Sequence, residues 1–238
     1  MTQSLRGSVV AVDGESFALT PQQVAYFDTF GFLKVPELFR DDVSQLVSGF
    51  EEVFANEQSP RMETREHLHL DERRVIIPSF IHKSEKLRPL LDDHRVVGVV
   101  TGLMGPNYEY AESDGNLFYC ESSWHPDTYS APMNQFHIKL SFYLDALHGE
   151  SGAIRMIPGT NHHRTPFARR LKSNLEDHAR VKDIYGVEHN EIPSWTLESE
   201  PGDLIVWNFR TIHASFNGGE RRRLFSINFR EADQGTRD

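Results

Sequence analysis

At Gly105-Pro106 the spacing of apolar residues changes from a helical to a strand period, so the chain is neither all-helical nor all-β. Before that point, Thr20 and Gln23 form a capping box around a proline at the first helical position, and Gly31 stops the run. This predicts a helix over 21–30. Val43, Leu46, Val47, Phe50, Val53 and Phe54 predict a second helix over 41–55, and Leu90, Leu91, Val97 and Val100 a third over 87–104. Beyond the switch, Phe136, Ile138, Leu140, Phe142 and Leu144 alternate with His137, Lys139, Ser141 and Tyr143, which is a strand with two unlike faces. Further strands are expected at 116–120, 153–157, 203–208 and 223–229, separated by turns such as Pro158-Gly159, Pro201-Gly202 and Asn217-Gly218-Gly219.

These divisions predict a single domain over 1–238. It has a mostly helical part over about 20–105, a β-barrel or sandwich over about 106–230, and a polar, partly helical insertion at 166–192 that reads equally as a lid or a surface loop. Lys and Arg number 25 against 35 Asp and Glu, so the formal charge is 25 − 35 = −10, which disfavours nucleic acid and anionic membranes as partners. No run approaches the ~18 apolar residues that a membrane span needs. Cys120 has no second cysteine to pair with, and the first residues lack a basic-then-apolar leader. The expected setting is cytoplasmic; nothing in the sequence reports oligomeric state.

Chemistry concentrates at Trp124-His125-Pro126-Asp127. In extended backbone His125 and Asp127 leave the same face and can share one ligand. Far along the chain, the apolar run 202–208 precedes His213, a second imidazole. Two histidines and one carboxylate leave open metal positions, which suits a non-haem Fe(II) oxygenase and equally a zinc hydrolase. In the run Glu220 to Phe229, Arg222, Leu224, Ser226 and Asn228 share one strand face, with Arg223, Phe225, Ile227 and Phe229 on the other. An inward guanidinium needs a partner, and the distal carboxylate of 2-oxoglutarate fits its bidentate fork.

Together with Gly149 to His162, Pro201-Gly202-Asp203 and His213-Ala214-Ser215, these motifs resemble the phytanoyl-CoA dioxygenase family of Fe(II)- and 2-oxoglutarate-dependent oxygenases. The resemblance extends from Thr20 to Phe229. It implies an α+β molecule with a mainly β core, a double-stranded β-helix (jelly roll) with N-terminal helices packed on one sheet. It also implies His125, Asp127 and His213 as iron ligands, Arg222 pairing with the cosubstrate, with Arg223 as the fallback, and Ser215 hydrogen-bonding it. The implied cofactors are Fe(II), 2-oxoglutarate and O2, and the implied reaction oxidises a C–H bond of a small-molecule substrate with release of succinate and CO2. Because Asp127 is retained, hydroxylation is favoured over halogenation. A jelly-roll binding protein without turnover is the non-enzymatic alternative.

Other candidates have blander readings. His67, His69 and Asp71 sit in an arginine-crowded segment that reads as solvated, and His162-His163 reads as exposed loop. Lys139, Arg155 and Arg210 could meet an anionic substrate or cosubstrate but read more readily as ordinary ion pairs, and Cys120 as a small buried hydrophobe. Trp124 and Tyr129 are expected to shape the cavity beside the ligands.

Overall fold

The alternating run around residue 140 becomes a central strand. A computed structural model describes residues 16–64, 73–119, 121–128, 135–177, 180–218 and 221–232. In chain order its strands are β1 (Phe32–Val35), β2 (Arg61–Thr64), β3 (Arg73–Pro78), β4 (Tyr108–Phe118), β5 (Ser122–His125), β6 (His137–Tyr143), β7 (Ile154–Met156), β8 (Trp195–Leu197), β9 (Leu204–Asn208), β10 (His213–Ser215) and β11 (Arg222–Glu231). They form an antiparallel seven-stranded sheet in the order β1-β9-β6-β11-β4-β3-β2 and a four-stranded sheet in the order β5-β10-β7-β8. From β4 onward the chain passes back and forth between the two sheets, which is the winding of a jelly roll.

The two faces of the large sheet separate as the period-2 pattern requires. Ile138, Leu140, Phe142, Phe225, Ile227 and Phe229 point outward and pack beneath helices α1 (Pro21–Phe30), α2 (Val43–Asn56) and α3 (His94–Met104) through Phe27, Leu46, Phe50, Val53, Val96, Val99 and Val100. Phe142 and Phe225, cross-strand neighbours, stack with centroids 4.6 Å apart. A fully buried side chain of this kind stabilises by about 1.5–3 kcal/mol, so the helical layer is held mainly by burial against the sheet. The helices do pack on one sheet, as expected, and the Thr20–Gln23 capping box is present.

Three expectations need correction, and the partly helical insertion is as expected. The segment before residue 105 is not mostly helical in its middle: β1 pairs with β9, and β3 joins β2 to the edge at β4. The helix expected over 87–104 breaks into a 3-10 turn at Arg88–Leu91 and α3, because Asp93 caps α3 by accepting from the Arg95 amide at 2.8 Å. The strand expected at 116–120 begins at Tyr108. The insertion folds as α4 (Pro166–Leu175), α5 (Val181–Tyr185) and a 3-10 turn. Its Leu175, Val181 and Ile192 cover Trp124, Ile212, Ala214 and Phe216 on the outer face of the small sheet. Among the described residues no helix is long and apolar enough to cross a membrane.

Candidate metal centre and cavity

The small sheet delivers the two imidazoles together: His125 at the end of β5 and His213 at the start of β10 are direct cross-strand partners, with ring centroids 4.4 Å apart. In each ring Nδ1–H donates to a carbonyl two residues back, His125 to Ser123 at 2.6 Å and His213 to Thr211 at 2.9 Å. That bond fixes the tautomer and leaves Nε2 as the electron-pair donor. Asp127 lies just past β5, anchored by its amide donating to Phe209 O at 2.7 Å. Its Oδ1 is 3.9 Å from His125 Nε2 and its Oδ2 3.8 Å from His213 Nε2.

The three residues each offer a donor atom within 4.8 Å of the others. An ion about 2.1 Å from each donor reaches pairs up to about 4.2 Å apart; each imidazole lies within that reach of a different Asp127 oxygen, so a common ion needs a modest closing of the three donors. Donor chemistry agrees, since borderline nitrogen and hard oxygen on one face suit a divalent first-row metal. Burial pushes the His213 pKa down despite the Asp127 charge, which keeps the imidazole in its ligating neutral form. Burial raises the Asp127 pKa, but the Lys139 ammonium, the two imidazoles when they carry a proton, and the Trp207 indole N–H pull it the other way and hold the carboxyl well below the usual range.

Two supports of Asp127 were missed in the sequence. Trp207 Nε1–H donates to Oδ2 at 3.0 Å, and Lys139 Nζ pairs with the same oxygen at 3.2 Å. Lys139 is therefore no ordinary surface ion pair: its side chain is 15% exposed, and its ammonium lies 5.7 and 5.5 Å from the Trp207 and Phe209 ring centres. The signal existed, because Lys139 sits with His137, Ser141 and Tyr143 on the polar side of the β6 alternation, which is the cavity face.

The cavity between the sheets has a volume of about 470 Å³, within the range for small ligands. The triad and Arg222 line it, with Ser215, Tyr143, Ile154 and Leu224 between or beside them. Arg222 is buried; its Nη1 donates to Gly152 O at 2.7 Å and Ser215 Oγ at 2.6 Å, and its guanidinium lies 5.2 Å from the Phe118 ring centre. Ser215 in turn donates to Gly152 O at 2.8 Å. A Cβ at Gly152 would stand 2.8 Å from Arg222 Nη1, and one at Gly218 2.5 Å from Nε, so two side-chain-free positions form the cradle. Ser215 lies two residues beyond His213, about 7 Å along the strand, which places Arg222 one short diacid from the triad. This cradle fits a keto diacid. Tyr143, also missed in the sequence, faces the same end; burial raises its pKa, so the phenol remains a hydrogen-bond donor.

Arg223 faces the other way. It binds Asp145 at 2.6 and 3.0 Å and Glu51 of α2 at 2.9 Å, a pairing that ties sheet to helix. Trp124 also points away from the cavity, against Phe216, with its indole N–H donating to His189 O at 2.7 Å. Arg155 lies over the Trp124 and Phe216 rings and donates to Ser194 Oγ at 2.9 Å, and Arg210 donates to Gln135 O at 2.8 Å. Neither is held by an ion pair in these contacts. Tyr129, Cys120 and the His67-His69-Asp71 group lie outside the described residues.

Comparison with known proteins agrees with this architecture. The family model for phytanoyl-CoA dioxygenase (PhyH) matches residues 27–224. A solved structure of the non-heme alpha ketoglutarate dependent carbocyclase SnoK from nogalamycin biosynthesis superposes with a TM-score of 0.71 at 18% identity, covering 92% of this chain and 88% of its own. HygX from Streptomyces hygroscopicus, with nickel and 2-oxoglutarate bound, gives 0.68 at 18% identity over 91% and 88%. EctD from S. alaskensis, in its apoform, gives 0.66 at 20% identity over 95% and 82%. No curated protein matches the chain by sequence.

Proposed function

The chain belongs to the phytanoyl-CoA dioxygenase family and is an Fe(II)- and 2-oxoglutarate-dependent oxygenase; from that premise we propose how its own residues divide the work. His125, Asp127 and His213 hold the iron; Arg222, with Ser215 and Tyr143, receives the distal carboxylate of 2-oxoglutarate. The observation that most supports this assignment is the convergence of three donor atoms from β5, its following loop and β10 at one wall of the cavity, two residues along β10 from the serine that braces the cradled guanidinium.

With iron, 2-oxoglutarate and O2 in place, the centre supplies oxidative decarboxylation to succinate and CO2 coupled to oxidation of a substrate C–H bond, hydroxylation being the outcome we assign. The protein supplies orientation and exclusion. Ser123 and Thr211 carbonyls hold the two imidazoles with Nε2 toward the cavity. Trp207 steadies Asp127 through Oδ2. Arg222, braced by Gly152 O and Ser215, attracts the dianion and sets its direction, while Leu224 and Ile154 keep that end dry. The substrate is a small molecule that enters the remaining cavity. One cysteine in 238 residues supports a reducing, cytoplasmic setting. Family membership disfavours the zinc hydrolase and the non-catalytic binding protein.

Anaerobic addition of Fe(II) and 2-oxoglutarate is expected to produce a weak visible charge-transfer band, and air to produce succinate. His213→Ala should abolish both while the fold persists by circular dichroism. A band of undiminished strength in that variant removes His213 from the ligand set.

A further inference from the structure

Lys139 has a charge that the assignments above do not use. Its ammonium stands on the cavity wall, 3.2 Å from Asp127 Oδ2 and beside the Trp207 and Phe209 rings. Counting the interior charges, Asp127 contributes −1, Lys139 +1 and Arg222 +1, with neutral imidazoles. Arg74 and Asp114, linked through Asn116, offset each other, and Glu112 and Glu121 stand at the solvent margin. Asp127, Lys139 and Arg222 by themselves sum to +1 before a ligand enters, while Glu112 and Glu121 bring two further negative charges to the cavity lining. A divalent ion alone raises that inner sum to +3 in a poorly hydrated space, where like charges are screened least; a dianion with it returns the sum to +1.

We propose that Lys139 couples the two ligands: it neutralises Asp127 in the empty site, weakens the hold on a divalent ion alone, and leaves tight metal binding dependent on the anionic cosubstrate. The proposal rests on the reading of His125, Asp127 and His213 as the metal site. Lys139 acts here through Asp127 and through its field, as a positioning residue, and the coupling is reciprocal, so metal must favour 2-oxoglutarate by the same factor.

Calorimetric titration of Ni(II) into the metal-free protein, with and without 2-oxoglutarate, tests this without turnover. In Lys139→Met, nickel alone should bind at least tenfold tighter than in the wild type, and the tightening by 2-oxoglutarate should shrink at least tenfold; Lys139→Arg should keep the wild-type pattern. If Lys139→Met does not fold, Lys139→Gln makes the same comparison. An unchanged 2-oxoglutarate effect, or weaker binding of nickel alone, in the charge-removed variant overturns the coupling and marks Lys139 as structural support for Asp127. His213→Ala separates the two readings. If it binds nickel like the wild type, the metal site itself is misassigned and the coupling falls with it; if it loses nickel while the Lys139 variants show no change, only the coupling falls.

Discussion

Arg222 and Lys139 are both cations on the cavity face of the large sheet, but they are held by opposite means. Arg222 is braced by neutral groups, Gly152 O and Ser215 Oγ, inside a cradle of two glycines; Lys139 is braced by a carboxylate. Hydrogen bonds to a carbonyl and a hydroxyl fix the direction of a guanidinium. An ionic brace spends the charge on a neighbour, which here is the residue assigned to iron. The contrast teaches that burial of a cation does not by itself mark a ligand site; the identity of its partner does.

The widest break in the comparison is expected from Arg222→Met. Loss of a buried charged partner costs about 2–5 kcal/mol, so KM for 2-oxoglutarate should rise by about 30-fold or more, with nickel alone bound no more weakly than in the wild type. A KM within threefold of the wild type would move the carboxylate to another residue. At the opposite end, Trp207→Phe removes the indole bond to Asp127 Oδ2 and keeps the ring. Metal affinity should fall by about 10- to 100-fold, the usual cost of losing a support behind a ligand, whereas the KM for 2-oxoglutarate measured at saturating metal should hardly move. The smallest effect is the most selective. Gly218→Ala places a methyl group 2.5 Å from Arg222 Nε and 2.6 Å from Cζ, and the guanidinium, at the end of a flexible stem, is the group that yields. Thermal stability should stay near that of the wild type while KM for 2-oxoglutarate rises by about tenfold, because a short displacement of an orienting group is felt in binding before it is felt in folding. Steady-state assays of succinate formation and a melting curve check both halves.

Much of this was readable before any coordinates. The period-2 runs at 136–144 and 222–229 separated two faces of each strand, and Lys139, Tyr143, Arg222, Leu224 and Ser226 from one face of each line the cavity, with Arg223 outward to Asp145 and Glu51. The capping box at Thr20 gave α1 to the residue. Trp124 shows where adjacency misleads: it precedes His125, so its side chain leaves the opposite face of β5 and packs behind the sheet. The strands β2 and β3 escaped because their evidence is pairing, β2 with β3 and β3 with the distant β4, and neither carries an alternating run of its own.

By itself, then, the order of residues settled which side chains share a face, where helices begin, and that two imidazoles, a carboxylate and a guanidinium were available for one site. Local backbone geometry repeats every two or 3.6 residues, and such repeats are written in the chain. Which face meets which was decided by the tertiary structure: that His125 lies across from His213, that Trp207 and Lys139 close on the same Asp127 oxygen, and that Gly152 and Gly218 make room for Arg222. Those contacts join strands far apart in sequence, and their register follows from how two sheets pack and twist against each other, which no local period encodes.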